Sequence, residues 1–170
     1  MEKLLEIKHE NRKSFDYVHI YFINNEITEL RWLDMLKTLR ELFDELNNSK
    51  IKKFSFVFKI TSLVLLTKER LKQIAILLRK NINMFKKKLV CSFIFSEGYI
   101  IEQFIKLFIC YYVPIKPLIP LNFNENYYKI NKRVLNNEKI ENDIGNIDPS
   151  SNQTLDDFIN YVDTKCIENN

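Results

Sequence analysis

The chain has 170 residues, 46% of them hydrophobic and 28% charged, a balance that excludes disorder throughout and allows one domain with a sizeable core. Its formal net charge of +4 is uneven: from Leu121 onward there are five Lys/Arg against nine Asp/Glu, and before it 21 against 13, so a basic body carries a mildly acidic tail. Cys91, Cys110 and Cys166 lie too far apart for a zinc knuckle, and with His9 and His19 as the only histidines no metal centre is expected.

Cys91 and Cys110 fall within apolar runs and read as small buried hydrophobes in a reducing compartment. The opening MEKLLEIKHENRK has no continuous apolar core of signal-peptide length. A cytoplasmic location is therefore the expectation. Gly98 and Gly145 are the only glycines, so neither a G-x-x-x-x-G-K loop nor a G-x-G-x-x-G turn exists, and no phosphate cradle of the common nucleotide-binding kinds can form.

In chain order, Leu4 to His9 alternates as a strand does, and Asp16 to Ile23 alternates better, with Val18, Ile20 and Phe22 on one face and Tyr17, His19 and Tyr21 on the other. A charged connection makes the pair a hairpin. Thr28 is placed to cap a helix in which Trp32, Met35, Leu36, Leu39, Leu42, Phe43 and Leu46 form one apolar stripe, and Asn47, Asn48 and Ser49 signal its end. Trp32 belongs to the core in this pattern.

Phe54 to Ile60 is the central strand, with Phe54, Phe56, Phe58 and Ile60 on one face. Thr67 caps a second helix expected to run to Phe85, its stripe formed by Leu71, Ile74, Ala75, Leu78, Ile82 and Phe85. Leu89 to Phe95 is a further core-type strand. Tyr99 to Tyr112 reads as a third helix rather than a membrane span, because Glu102, Gln103 and Lys106 interrupt it and Pro114 ends it early. The prolines of Val113 to Pro120 donate no ladder hydrogen bonds, so this segment is an edge strand or an extended wrap.

The expected fold is α/β: a single mixed sheet of four to five strands with three helices packed on it, over residues 1–120. Residues 121–170 read as a polar linker followed by a short amphipathic helix containing Leu155, Phe158, Ile159 and Val162.

The order of elements resembles a STAS-like domain, the fold of bacterial anti-sigma-factor antagonists, which the Sec14-like domains partly share. The segments that carry the likeness are YVHIYFI, the helix from Thr28 to Leu46, FSFVFKI, the helix from Thr67 to Phe85, LVCSFIF, the helix from Tyr99 to Tyr112 and VPIKPLIP, about two thirds of the chain. In that family an Asp-Ser pair at the start of the helix after the central strand can take phosphate on its serine. Here Thr67 and Lys68 stand at that place, and lysine cannot accept phosphate. Thr67, Ser62 and Thr61 are the only substitutes nearby.

No catalytic constellation emerges: Cys91 and Cys110 lack a neighbouring base in sequence, and Asp156 and Asp157 sit on the small C-terminal helix. Catalytic, cofactor-binding and metal-binding residues are therefore all expected to be absent. The expected function is a non-enzymatic protein-binding module, regulatory or scaffolding, with the tail-helix residues as one candidate contact. The alternative is an anionic ligand, nucleic acid or phospholipid, held by Lys68, Arg70, Lys72, Arg79, Lys80, Lys86, Lys87 and Lys88.

Overall fold

A computed structural model describes residues 3–13, 15–23, 27–60, 67–96, 107–108, 110–112, 114–121, 127–128 and 131. Its elements run β1 (Leu5–Glu10), β2 (Asp16–Phe22), α1 (Glu29–Asn48), β3 (Phe54–Lys59), α2 (Lys68–Lys80), α3 (Ile82–Lys88), β4 (Leu89–Phe95) and β5 (Leu118–Leu121). One sheet contains all five strands in the order β1-β2-β3-β4-β5. The β1–β2 hairpin is antiparallel, and β2, β3, β4 and β5 are mutually parallel. The fold is therefore α/β with one mixed sheet, as the alternation of patterns implies.

Residues of period two separate the two faces of the sheet. Val18 and Ile20 stand beside Phe56 and Phe58 in the β2–β3 register. On their face Trp32, Met35, Leu39, Leu42, Phe43 and Leu46 of α1 share a core with Phe54, Phe56 and the α3 residues Met84 and Phe85. Leu71 and Ala75 of α2 pack on the same face further along, against Ile94 and Leu118. All three described helices thus cover one face, consistent with sequential crossovers that each add the next strand.

Local signals account for most boundaries. The Thr28 hydroxyl accepts from the Arg31 backbone N–H at 3.3 Å, and the Thr67 hydroxyl accepts from that of Arg70 at 3.3 Å, so both threonines act as N-caps. The helix expected from Thr67 to Phe85 is instead two. At Asn81 the side-chain Nδ2 donates to the Leu77 carbonyl at 2.9 Å and the backbone N–H donates to that of Leu78 at 3.0 Å, which ends α2 before α3 begins at Ile82. Of the helix expected from Tyr99 to Tyr112, residues 107–108 are helical and 110–111 form a turn. The remainder lies outside the described residues. Cys110, read as core, is exposed, because Phe108 and Tyr112 on either side of it take the buried positions.

β5 is an edge strand containing Pro120 opposite Ile94, a position where a missing N–H costs the sheet nothing on its open side. Between β3 and β4 the register shifts: Phe54 faces Leu89 but Phe56 faces Ser92, so β4 carries one extra residue. The bulge delivers both Val90 and Cys91 to the second face of the sheet, where they pack with Tyr17, Val57, Phe93 and Phe95. Tyr127 and Tyr128 pack on this second face as well, although the sequence around them reads as linker.

Candidate functional site

The outer side of the helical layer carries most of the residues that the sequence marks as a basic contact surface. They do not form one uniform patch. The Arg70 guanidinium lies 5.1 Å from the centroid of the Trp32 ring, whose Nε1 donates to Gln73 Oε1 at 2.5 Å, so this cation helps join α2 to α1. Lys72 is 4.0 Å from Glu69 one turn away, and Arg79 donates to the Tyr111 carbonyl. Lys88 is half-buried, and its Nζ donates to the carbonyls of Leu46 at 2.7 Å, Asn47 at 3.1 Å and Ser49 at 3.0 Å. These carbonyls are the acceptors that the end of α1 leaves over, and α1 has no basic residue in its own last turn. Lys88 is a structural cap. Lys68, Lys80, Lys86 and Lys87 stand exposed.

Among these cations lie apolar side chains in contact with water: Leu30 is 66% exposed and Leu33 51% on α1, and Ile76 is 50% exposed on α2. Leu30 and Leu33 are one turn apart on the same helix face, and Ile76 follows Gln73 by one turn. The Trp32–Gln73 bond brings those two stretches side by side. Lys72 and Lys80 are the helical neighbours of Ile76 at four-residue spacing.

The second sheet face contains the densest polar network. His19, 9% exposed, shares a hydrogen bond of 2.8 Å between its Nε2 and Glu10 Oε2, and its Nδ1 lies 3.4 Å from the Tyr21 hydroxyl. Tyr128 donates to the same carboxylate at 2.7 and 2.9 Å, Arg12 Nε does so at 2.8 Å, and the Arg12 guanidinium rests 4.3 Å from the centre of the Tyr128 ring. Partial burial would raise the Glu10 carboxyl, but the hydrogen bonds from Tyr128, His19 and Arg12 outweigh it and hold the group below its ordinary range. Deeper in, Ser55 and Cys91 both donate to Asn131 Oδ1, at 2.9 and 3.2 Å. Burial pushes the phenols of Tyr17 and Tyr127 far above their ordinary range and that of Tyr112 up to about 12.

Chemically, this network is a fastener. Cys91 is fully buried, so its thiol is out of reach of a substrate, and each oxygen of Glu10 is already occupied by donors from within the chain. Sequence reasoning placed His19 beside Tyr17 and Tyr21 but gave no role to Glu10, Tyr128 or Asn131. Alternation alone finds the first set, whereas the second depends on contacts across 118 residues for Glu10 and Tyr128 and across 76 and 40 for Asn131.

Comparison with protein-family models, with characterised proteins and with solved structures finds no match to this chain. Its functional reading rests on its own residues. Among the described residues no group of three or more His, Cys, Asp or Glu is arranged to hold a metal ion, and no helix is long and apolar enough to cross a membrane. Thr67 spends its hydroxyl on the α2 cap. Thr61, Ser62 and the tail-helix residues Leu155, Phe158, Ile159 and Val162 lie outside the described residues.

Proposed function

We propose that this chain is a non-enzymatic, intracellular α/β module that binds another protein through the outer side of α1 and α2. The observation that carries the reading is the exposure of Leu30, Leu33 and Ile76 beside the Trp32–Gln73 joint, in a layer whose other large apolar side chains are mostly buried or half-buried. Apolar side chains left in water at a rigid helix–helix joint gain by burial in a partner, at roughly 25 cal/mol per Å² of apolar surface. Lys72 and Lys80 flank Ile76, so the partner of matching chemistry is an amphipathic segment with an apolar stripe and acidic edges. The anionic-ligand alternative has less support, because Arg70, Arg79 and Lys88 are engaged within the chain.

The test is affinity capture with the full chain, comparing wild type with Leu33→Glu, Ile76→Glu and the double variant Lys86→Gln/Lys87→Gln. A discrete set of proteins depleted at least about tenfold by either apolar-to-acidic change, and retained by the lysine variant, is expected. Retention on heparin that survives Leu33→Glu and vanishes with the lysine variant would instead establish the anionic-ligand reading. Turnover of a metabolite by the isolated protein, with no partner recovered, defeats both.

A further inference from the structure

We infer that the seam between α2 and the sheet is a binding site for a small, uncharged, apolar molecule with a short alkyl chain. A cavity of about 90 Å³ lies there, with Leu39, Phe58, Ile74, Leu78, Ile94 and Phe108 among its walls, and every lining residue presents only hydrocarbon to it. A second space of about 60 Å³ adjoins it, sharing Phe58, Leu78, Phe108 and Leu118 and counting Ser92 and Lys116 among its other walls. The two are neighbouring spaces that share four walls. Such a pair of spaces suits a short flexible chain better than one compact ring.

The packing of the core gives an independent reason. The helix-side core divides into two clusters of buried residues, and Phe22, Phe58, Ile74 and Leu78 are half-buried against both. All four line the larger cavity. Side chains on the core side of a sheet and a helix therefore keep accessible surface where the two clusters meet. Close-packed interiors seldom leave such space, and walls without a donor or acceptor offer water nothing to bond. An alkyl chain supplies the contacts that the walls lack without needing a hydrogen bond. The hydrocarbon lining of the main cavity selects against charge, and a neutral hydroxyl can be accommodated only in the second space, whose walls include Ser92 and Lys116.

The experiment is a titration of the full chain, labelled at its Leu, Ile and Val methyl groups, with 1-hexanol, followed by xenon under pressure. Saturable shifts are expected at Leu39, Ile74, Leu78, Ile94 and Leu118, with xenon moving the same methyls. Ile74→Phe, which fills the cavity, should weaken 1-hexanol binding at least about tenfold, while Leu33→Glu leaves it unchanged and so separates this site from the protein-binding face. Shifts that grow linearly without saturating, or that fall mainly on Leu30, Leu33 and Ile76, overturn the inference. If Ile74→Phe does not fold, the xenon result on wild type decides: no shift at the lining methyls means no site.

Discussion

Glu10 accepts hydrogen bonds from Tyr128 and Arg12 and shares one with His19, so a single carboxylate ties the hairpin to a segment far along the chain. Alternation ends the first strand at His9 and leaves Glu10 to the charged connection, whereas Glu10 closes β1 and pairs with Tyr17 on the face opposite Val18. Its partners are not legible either, because nothing in the local pattern of Tyr128 says which face that residue will meet. Since the folded-state value lies below the ordinary 4.5, the stabilisation is present in full above about pH 4.5 and is lost as the pH falls through the depressed value. Glu10→Gln should therefore be less stable than wild type by a constant margin at pH 6–8 and by a shrinking one on acidification below about 4.5. Urea melts at stepped pH measure this, and a margin that does not change with pH would remove the carboxylate from the account.

At the scale of elements, α1 shows a helix completed by its neighbours. Thr28 and Glu29 satisfy and complement its start, both readable from sequence. Its end depends on Lys88 at the last position of α3, about forty residues later. A lysine in the run Lys86 to Lys88 looks like a surface charge, and only the approach of α3 to the end of α1 makes this one a cap. Lys88→Met, which keeps most of the stem, is expected to cost about 1–3 kcal/mol through the three lost carbonyl contacts, and Lys86→Met close to nothing. The urea midpoint should fall for the first variant alone, with an unchanged m-value. The break at Asn81 has a similar origin: the apolar period continues through it, while the Asn side chain takes a carbonyl of the preceding turn and ends the helix.

At the scale of the molecule, the sheet has two covered faces of different construction. The helix side is apolar throughout its buried centre, whereas the second face grades from charged β1 through the Tyr and His residues of β2 to the apolar residues of β4 and β5. Tyr127 lies 5.2 Å from Tyr17, 5.7 Å from Phe93 and 5.6 Å from Phe95 between ring centroids, and Tyr128 lies 4.9 Å from Tyr17. A chain ending at Leu121 would uncover these residues and leave Ser55 and Cys91 without the Asn131 acceptor. Such a truncation is expected to lose about 3–5 kcal/mol and to bind a hydrophobic dye, two aromatic side chains and a buried polar junction being removed together. Equal urea midpoints for the two lengths would show that the second face does not need this cover.

The sequence by itself determined the α/β class, the strands, the apolar stripe of α1 and both threonine caps, because each depends on residues within a turn or two of one another. It also limited Pro120 to an edge strand or an extended wrap, since a missing N–H is a local property, and the structure has the edge strand. Only the tertiary structure decided that Lys88 caps a helix, that Arg70 and Gln73 grip Trp32, and that Tyr127, Tyr128 and Asn131 cover the sheet. These are contacts between residues distant in the chain, and their energies follow from burial and geometry that no local pattern encodes. The leucines Leu30 and Leu33 fall outside the apolar stripe that periodicity gives α1, and the structure shows how far that side of the helix is open to water.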